Sequence, residues 1–334
     1  MQIPFIGRFY DNPVLAQAVP VPQPRRARIG LALGAGAARG WSHIGVLHEL
    51  VACGLVPDIV AGSSIGAVVG GCFVAGRLAE LEAFARSLTP RRVFSLMDLT
   101  FSGAGLLGGG KLKSLLERQL SDTLIENLPT RFGAVATELG TGHEVWLTNG
   151  QLSESVRASY ALPGIFEPVR IAGRWLFDGA LVNPVPVTLC RALGADVVIA
   201  VNLVSDNYST ASVVSDELST MRGANDEKEA VPRTVGGSFR QHFSRSPEGP
   251  PGMATAMMEA FNITQDRIAR SRLAGDPPDV TVRARVGKIG LFDFHRAEEL
   301  IFIGREAARR AIADMAQDTG LVAQTAPAGT AATG

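Results

Sequence analysis

The chain has 334 residues, 46% hydrophobic and 19% charged, and its 32 basic and 32 acidic side chains cancel. That length holds one large α/β domain or two ordinary ones, and the composition suits a compact α/β enzyme better than a disordered protein. A balanced charge creates no long-range field, so nucleic acid is not an expected partner and any lipid contact must be local and apolar.

Cys53, Cys72 and Cys190 are widely spaced and odd in number. They imply neither a disulfide framework nor a metal site, and nothing calls for a cofactor. The opening residues lack the basic region and unbroken apolar run of a secretory signal, which points to a cytoplasmic protein whose contact with the inner face of the membrane is at most peripheral. Residues 59–76 carry no charge and just reach the length of a membrane span, but their five glycines fit a strand, a tight turn and a buried helix better.

Residues 1–27 are rich in proline and lack periodicity, which predicts an extended N-terminal arm. Ile29-Gly30-Leu31-Ala32-Leu33 is then a short apolar run that stops at glycines and leads into a helical pattern over 39–53. Asp58-Ile59-Val60-Ala61 leads in the same way through a turn into a helix that ends near residue 75. Successive strand–loop–helix units predict an α/β fold of three layers, with a mainly parallel central sheet and helices on both faces. Further strands read at 132–137, 144–147, 174–177 and 196–201, giving a catalytic-domain core over 28–204. The composition of 205–251 predicts a mobile or disordered insertion, a candidate lid. A helix over 253–272, a strand over 280–284 and a helix over 293–315 complete the domain within 252–317, and 318–334 reads as a flexible tail.

Gly62-Ser63-Ser64-Ile65-Gly66 fits G-x-S-x-G, in which a sharp strand-to-helix turn lifts the central serine out of the sheet. Ser64 is the candidate nucleophile, at a helix N-terminus whose dipole favours a nearby oxyanion. Taken alone, the match also describes an ordinary Ser/Gly turn. Gly34-Ala35-Gly36-Ala37-Ala38-Arg39-Gly40 lies between the first strand and first helix, where small residues leave backbone N–H groups open to an anion. It reads as an oxyanion hole or as a dinucleotide loop with Asp58 as the ribose-binding acid. Arg39 in the third glycine position and Asp58 ahead of its strand disfavour the nucleotide. Asp178-Gly179-Ala180 follows the apolar run Trp175-Leu176-Phe177, so its carboxylate emerges at a strand end, where active sites of α/β sheets gather. A plain Asp-Gly turn has the same local signature. A serine nucleophile needs a proton acceptor, usually a histidine. His43 and His48 precede the serine on a helix, His143 lies beside a turn, His242 falls in the insertion, and His295 follows Asp178 in triad order.

These three motifs, in this order, resemble those of the patatin-like phospholipases. The stretch 33–47 and Ser159-Tyr160-Ala161-Leu162-Pro163-Gly164-Ile165-Phe166 are similar to the bacterial branch related to the neuropathy target esterase catalytic domain. The similarity covers about 28–204, with 274–279 and 293–297 also alike. The resemblance implies a cofactor-free phospholipase or lysophospholipase with a Ser/Asp dyad, in which Ser64 attacks an ester carbonyl, Asp178 accepts its proton and an acyl-enzyme forms. It implies an oxyanion hole from the backbone amides of Gly36, Ala37 and Ala38 in a loop opened by Gly34 and fixed by Arg39, with Gly62, Gly66 and Gly179 as motif glycines. Where the family often has three successive glycines, this chain has Ala35 and Ala37, which still donate their N–H groups. The implied partner is a phospholipid or lysophospholipid, met by transient contact with a membrane surface. Two alternatives stand beside this reading: a catalytically weak regulatory or binding protein on the same fold, and an esterase with a Ser-His-Asp triad using His295.

Overall fold

The computed structural model describes residues 26–90, 93, 110–203 and 253–319. The expected arm up to residue 25, the lid over 205–251, His242 and the tail from 320 lie outside the described residues. In chain order the elements are β1 (Ile29–Leu33), α1 (Ser42–Ala52), β2 (Ile59–Ser63), α2 (Ile65–Val74), α3 (Leu78–Arg86), α4 (Gly110–Leu120), β3 (Arg131–Glu138) and β4 (Glu144–Leu147). They continue with α5 (Leu152–Ser159), β5 (Val169–Ile171), β6 (Arg174–Asp178), α6 (Val187–Ala192), β7 (Val197–Asn202), α7 (Met253–Gly275), β8 (Val280–Arg283) and α8 (Ala297–Thr319).

Strands that are apolar on both faces are stable only where helices cover both sides. β1, β2 and β7 are such strands, and they form the centre of one eight-stranded sheet in which β8, β7, β1, β2 and β3 run parallel. Their side chains alternate between two cores. Leu31, Leu33, Val60, Phe132 and Ala134 pack with residues of α1, α2, α5 and α8, whereas Ala32, Ile59, Ala61 and Val135 pack with α6 and α7.

The arrangement around β3 positions everything that follows. β2 pairs with residues 131–135 of β3, β4 pairs antiparallel with 134–137, and β6 pairs antiparallel with 136–138. A strand residue has one neighbour on each edge, so the overlaps put β4 on one edge and place β2 and β6 end to end on the other. Ser63 at the end of β2 stands opposite Val135, and Asp178 at the end of β6 stands opposite the next residue, Ala136. Two strands running toward one another thus finish at a single point.

All the expected strands are present, and α7 extends the expected helix to Gly275. β5 is an addition, because three residues with a charge in the middle give no alternation to read. The first α-helix starts at Ser42, since 37–41 forms a tighter 3-10 turn, and the last starts at Ala297 after a similar turn at Phe294–Arg296.

The C-terminal helix α8 lies against α1 with the two backbones in contact. A Cβ added to Gly45 would stand 1.9 Å from the Ile301 carbonyl oxygen, and one added to Gly304 would stand 1.9 Å from that of Ser42. Outside the crossing, Arg309 donates to Glu49 at 2.8 Å. Gly45→Val or Gly304→Val must push the helices apart, an overpacking cost of about 1–3 kcal/mol. Thermal unfolding should show either variant melting about 2–10 °C below the parent. Gly275→Ala, at a position where an added Cβ meets nothing within 4 Å, should melt with the parent.

Candidate active site

β2 runs directly into the turn that carries Ser64. This serine sits at φ 56°, ψ −125°, a left-handed conformation costly for a non-glycine residue, and α2 begins at the next residue. The reversal is so tight that a Cβ on Gly62 would lie 2.4 Å from the Ala67 Cα, and one on Gly66 would lie 2.1 Å from the Leu33 carbonyl oxygen. The two motif glycines are therefore required by backbone crowding. The Ser64 N–H donates to Ser159 Oγ at 3.0 Å, so a buried hydroxyl at the end of α5 pins the strained residue.

Asp178 meets this serine from the end of β6. Ser64 Oγ donates to Asp178 Oδ2 at 2.6 Å, and the Ala180 N–H donates to Oδ1 at 2.8 Å. The backbone of Asp178 is held by its N–H to Ala161 O at 3.0 Å and by Thr137 Oγ1, which donates to its carbonyl at 2.8 Å. Gly179 is again a matter of space, since a Cβ there would lie 2.2 Å from Val135 O. Asp178 is only 1% exposed. Burial pushes its carboxyl up to about 7, while the bonds from Ser64 and Ala180 work in the opposite direction.

The loop 34–40 crosses the N-terminal end of α2, where a Cβ on Gly40 would stand 2.3 Å from Ile65 side-chain atoms. Its amides are unequally committed. Those of Gly34, Ala35 and Ala38 donate to Val201 O, Pro184 O and Leu291 O at 3.1, 2.9 and 3.0 Å, and that of Arg39 donates to Gly36 O at 3.1 Å. The amides of Gly36 and Ala37 have no acceptor among the described residues. The expected trio of donors thereby narrows to two, because Ala38 is occupied by a C-terminal segment whose approach the local motif does not reveal. Ala37 adopts φ 49°, a conformation that favours the glycine common in the family pattern. Arg39 is nearly buried and its Nε donates to Ile289 O at 2.8 Å, which fixes the loop to that same segment.

Among the described residues, histidine enters this site only as scaffolding. His43 is fully buried and its Nε2 donates to Gly34 O at 2.7 Å; burial lowers the imidazole to about 4, so it is neutral near pH 7. His48 contacts Glu82 and Arg305, and His143 approaches Glu138. His295 lines a surface hollow with Arg86, Arg296 and Phe302. Among the described residues no histidine nitrogen is bonded to Ser64 or Asp178. Asp58 accepts from the Ile29 N–H at 2.8 Å at the start of β1, the opposite end of the strand from loop 34–40, which removes it as a ribose-binding partner of that loop.

Ser159 and His43 are contributions to the site that local motifs did not assign. Ser159 lies in the stretch similar to the family, and that similarity was the signal that could have marked it. Among the described residues no cluster of potential metal ligands occurs, and no helix is long and apolar enough to cross a membrane.

Comparison with known proteins adds relationship to this geometry. Residues 31–191 match the family model described as patatin-like phospholipase. An NTE family protein of Mycobacterium tuberculosis is 34% identical over 331 residues, spanning 85% of this chain and 91% of the relative. Patatin-like phospholipase domain-containing protein 7 of Rattus norvegicus is 32% identical over 57% of this chain, and lysophospholipase nte1 of Emericella nidulans is 27% identical over 83% of it. The matched parts are only 15% and 17% of those longer proteins. With a full-length relative above 30% identity and a family model that takes in both the Ser64 turn and Asp178, the chain belongs to the NTE family of patatin-like phospholipases and is a carboxylic ester hydrolase.

Proposed function

We propose that the chain hydrolyses carboxylic esters of phospholipids or lysophospholipids, with Ser64 as nucleophile, Asp178 as its proton acceptor and an acyl-enzyme between the two half-reactions. The observation that carries this reading is the 2.6 Å bond from Ser64 Oγ to a buried carboxylate. Asp178 takes the hydroxyl proton as Oγ bonds to the ester carbonyl carbon, and the carbonyl electron pair moves onto oxygen. The amides of Gly36 and Ala37, left uncommitted in the loop, are assigned as the donors that meet that charge. Collapse breaks the bond to the alcohol, which leaves with the proton held by Asp178. Water then gives a proton to Asp178 as its oxygen bonds to the acyl carbon, and collapse breaks the bond to Ser64 Oγ, which takes that proton back from Asp178 and releases the fatty acid. A carboxylate is ordinarily a weak base, and a pKa near 7 brings it into the range where general-base catalysis is effective.

Hydrolysis of a p-nitrophenyl ester tests the assignment. Ser64→Ala and Asp178→Asn should each lower turnover by about 10⁴ or more, His295→Ala should stay near the parent, and a fluorophosphonate should label Ser64. Normal turnover in folded Asp178→Asn would defeat the dyad, and failure to label would favour a binding protein.

The charge state of Asp178 predicts two pH effects. As the base must be ionised, kcat/KM should rise with pH through about 7. The folded pKa lies above the ordinary value of 3.8, so the fold favours the protonated acid; its stabilising contribution is complete below about 4 and is lost as pH rises through about 7. Melting of Asp178→Asn should therefore gain on the parent between those pH values and run parallel to it above them.

Ser159→Ala leaves the Ser64 N–H without its partner. Turnover should fall about tenfold or more with KM little changed, at a stability cost of about 1–3 kcal/mol. Ser159→Thr, which restores the hydroxyl, should recover part of the rate.

A further inference from the structure

We propose that the face containing the Ser64 site docks on an anionic phospholipid bilayer, with Trp175 and Leu139 entering the interface on one side of the site and Arg283, Arg285 and Lys288 meeting headgroup phosphates on the other. The inference rests on the lipid-ester reading above and names the surface from which that substrate would be taken.

The sheet register puts both groups on one rim. Gly62 pairs with Leu33, Leu33 with Val201, and Val201 with Val282, so Arg283 ends β8 in the same row in which β2 reaches Ser63. Residues 284–288 follow directly and lead to Ile289, whose carbonyl accepts from Arg39 of loop 34–40, so Arg285 and Lys288 stand between the end of β8 and that loop. On the other flank Ser63 pairs with Val135, and β3 runs on past that row to Leu139, whose N–H donates to Trp175 O at 2.8 Å. From β8 to β3 is four strand spacings, about 19 Å, with Ser64 between.

The chemistry of the two flanks is complementary to a bilayer interface. Leu139 and Trp175 are 51% and 47% exposed, although both are large and apolar, and the Arg170 guanidinium lies 5.8 Å above the Trp175 ring. A tryptophan with a cation on its face suits the headgroup level, where an amphipathic ring is favoured. Nearby, Glu138 is countered by Arg174, at 3.7 Å. On the β8 flank Arg283, Arg285 and Lys288 are exposed, and none makes an ion pair with a described acid. This contrasts with Arg191, Arg270, Arg272 and Arg309, each bound to a carboxylate. The neutrality of the whole chain predicts a local, apolar lipid contact; the contact proposed here is local but adds these cations to the apolar pair, and its attraction to an anionic surface must weaken as salt screens it.

Sedimentation of the full chain with vesicles of phosphatidylcholine, and with vesicles of equal parts phosphatidylcholine and phosphatidylglycerol, tests the surface. The parent should bind the anionic vesicles better, and less so at high salt. The triple variant Arg283→Glu, Arg285→Glu, Lys288→Glu should bind them at least about tenfold more weakly, and Trp175→Ala with Leu139→Ser should lose binding to both compositions. All should cleave a soluble p-nitrophenyl ester at the parent rate. Equal binding by the parent and the triple variant, or parental binding indifferent to lipid charge and salt, would overturn the proposal. Loss of soluble-ester cleavage in the parent itself would instead defeat the hydrolase reading, with vesicle binding still measured separately.

Discussion

A carboxylate removed from water must find hydrogen bonds or give up its charge, and Asp178 lies at that boundary. It is almost fully buried, yet it receives one bond from the Ala180 amide and one from the Ser64 hydroxyl. Two donors are enough to make ionisation possible and too few to make it easy, which is how a pKa near 7 arises from an ordinary acid. The position of the pair depends on β2 and β6 sharing one edge of β3 with their ends in adjacent rows. A change of register by one residue would turn the Asp178 side chain to the other face of the sheet.

Around this bond the backbone is held from several directions. Ser159 accepts the Ser64 N–H, Thr137 donates to the Asp178 carbonyl, and Ala161 accepts the Asp178 N–H. A serine at positive φ persists only where its surroundings overdetermine it. Here they do so through β3 and through α5 with the turn that follows it, segments far along the chain from Ser64.

The region beyond residue 191 is part of the same machine, although the patatin family model ends there. Ile289 O and Leu291 O hold Arg39 and Ala38, and α8 packs backbone to backbone on α1, which follows the loop. By occupying the Ala38 amide, this segment leaves Gly36 and Ala37 as the open donors of the loop. It also carries the cations proposed to face the lipid, so loop support and the proposed docking surface come from one stretch of chain.

The sequence by itself determined the features whose causes are local. Gly62, Gly66 and Gly179 are legible because each stands where an added Cβ would strike nearby backbone, and that need for space imposes the same residue types wherever the turn occurs. The apolar runs of β1, β2 and β7 announce a buried parallel sheet for a similar reason: such runs have no other stable place. Only the tertiary structure decided the antiparallel course of β6, the presence of β5, the role of Ser159, the anchoring of Gly34 by His43 and the loss of Ala38 as a free donor. Each of these is a contact between distant segments, chosen by strand register and helix packing. One amide or hydroxyl looks like any other in the sequence until the fold brings its partner to it.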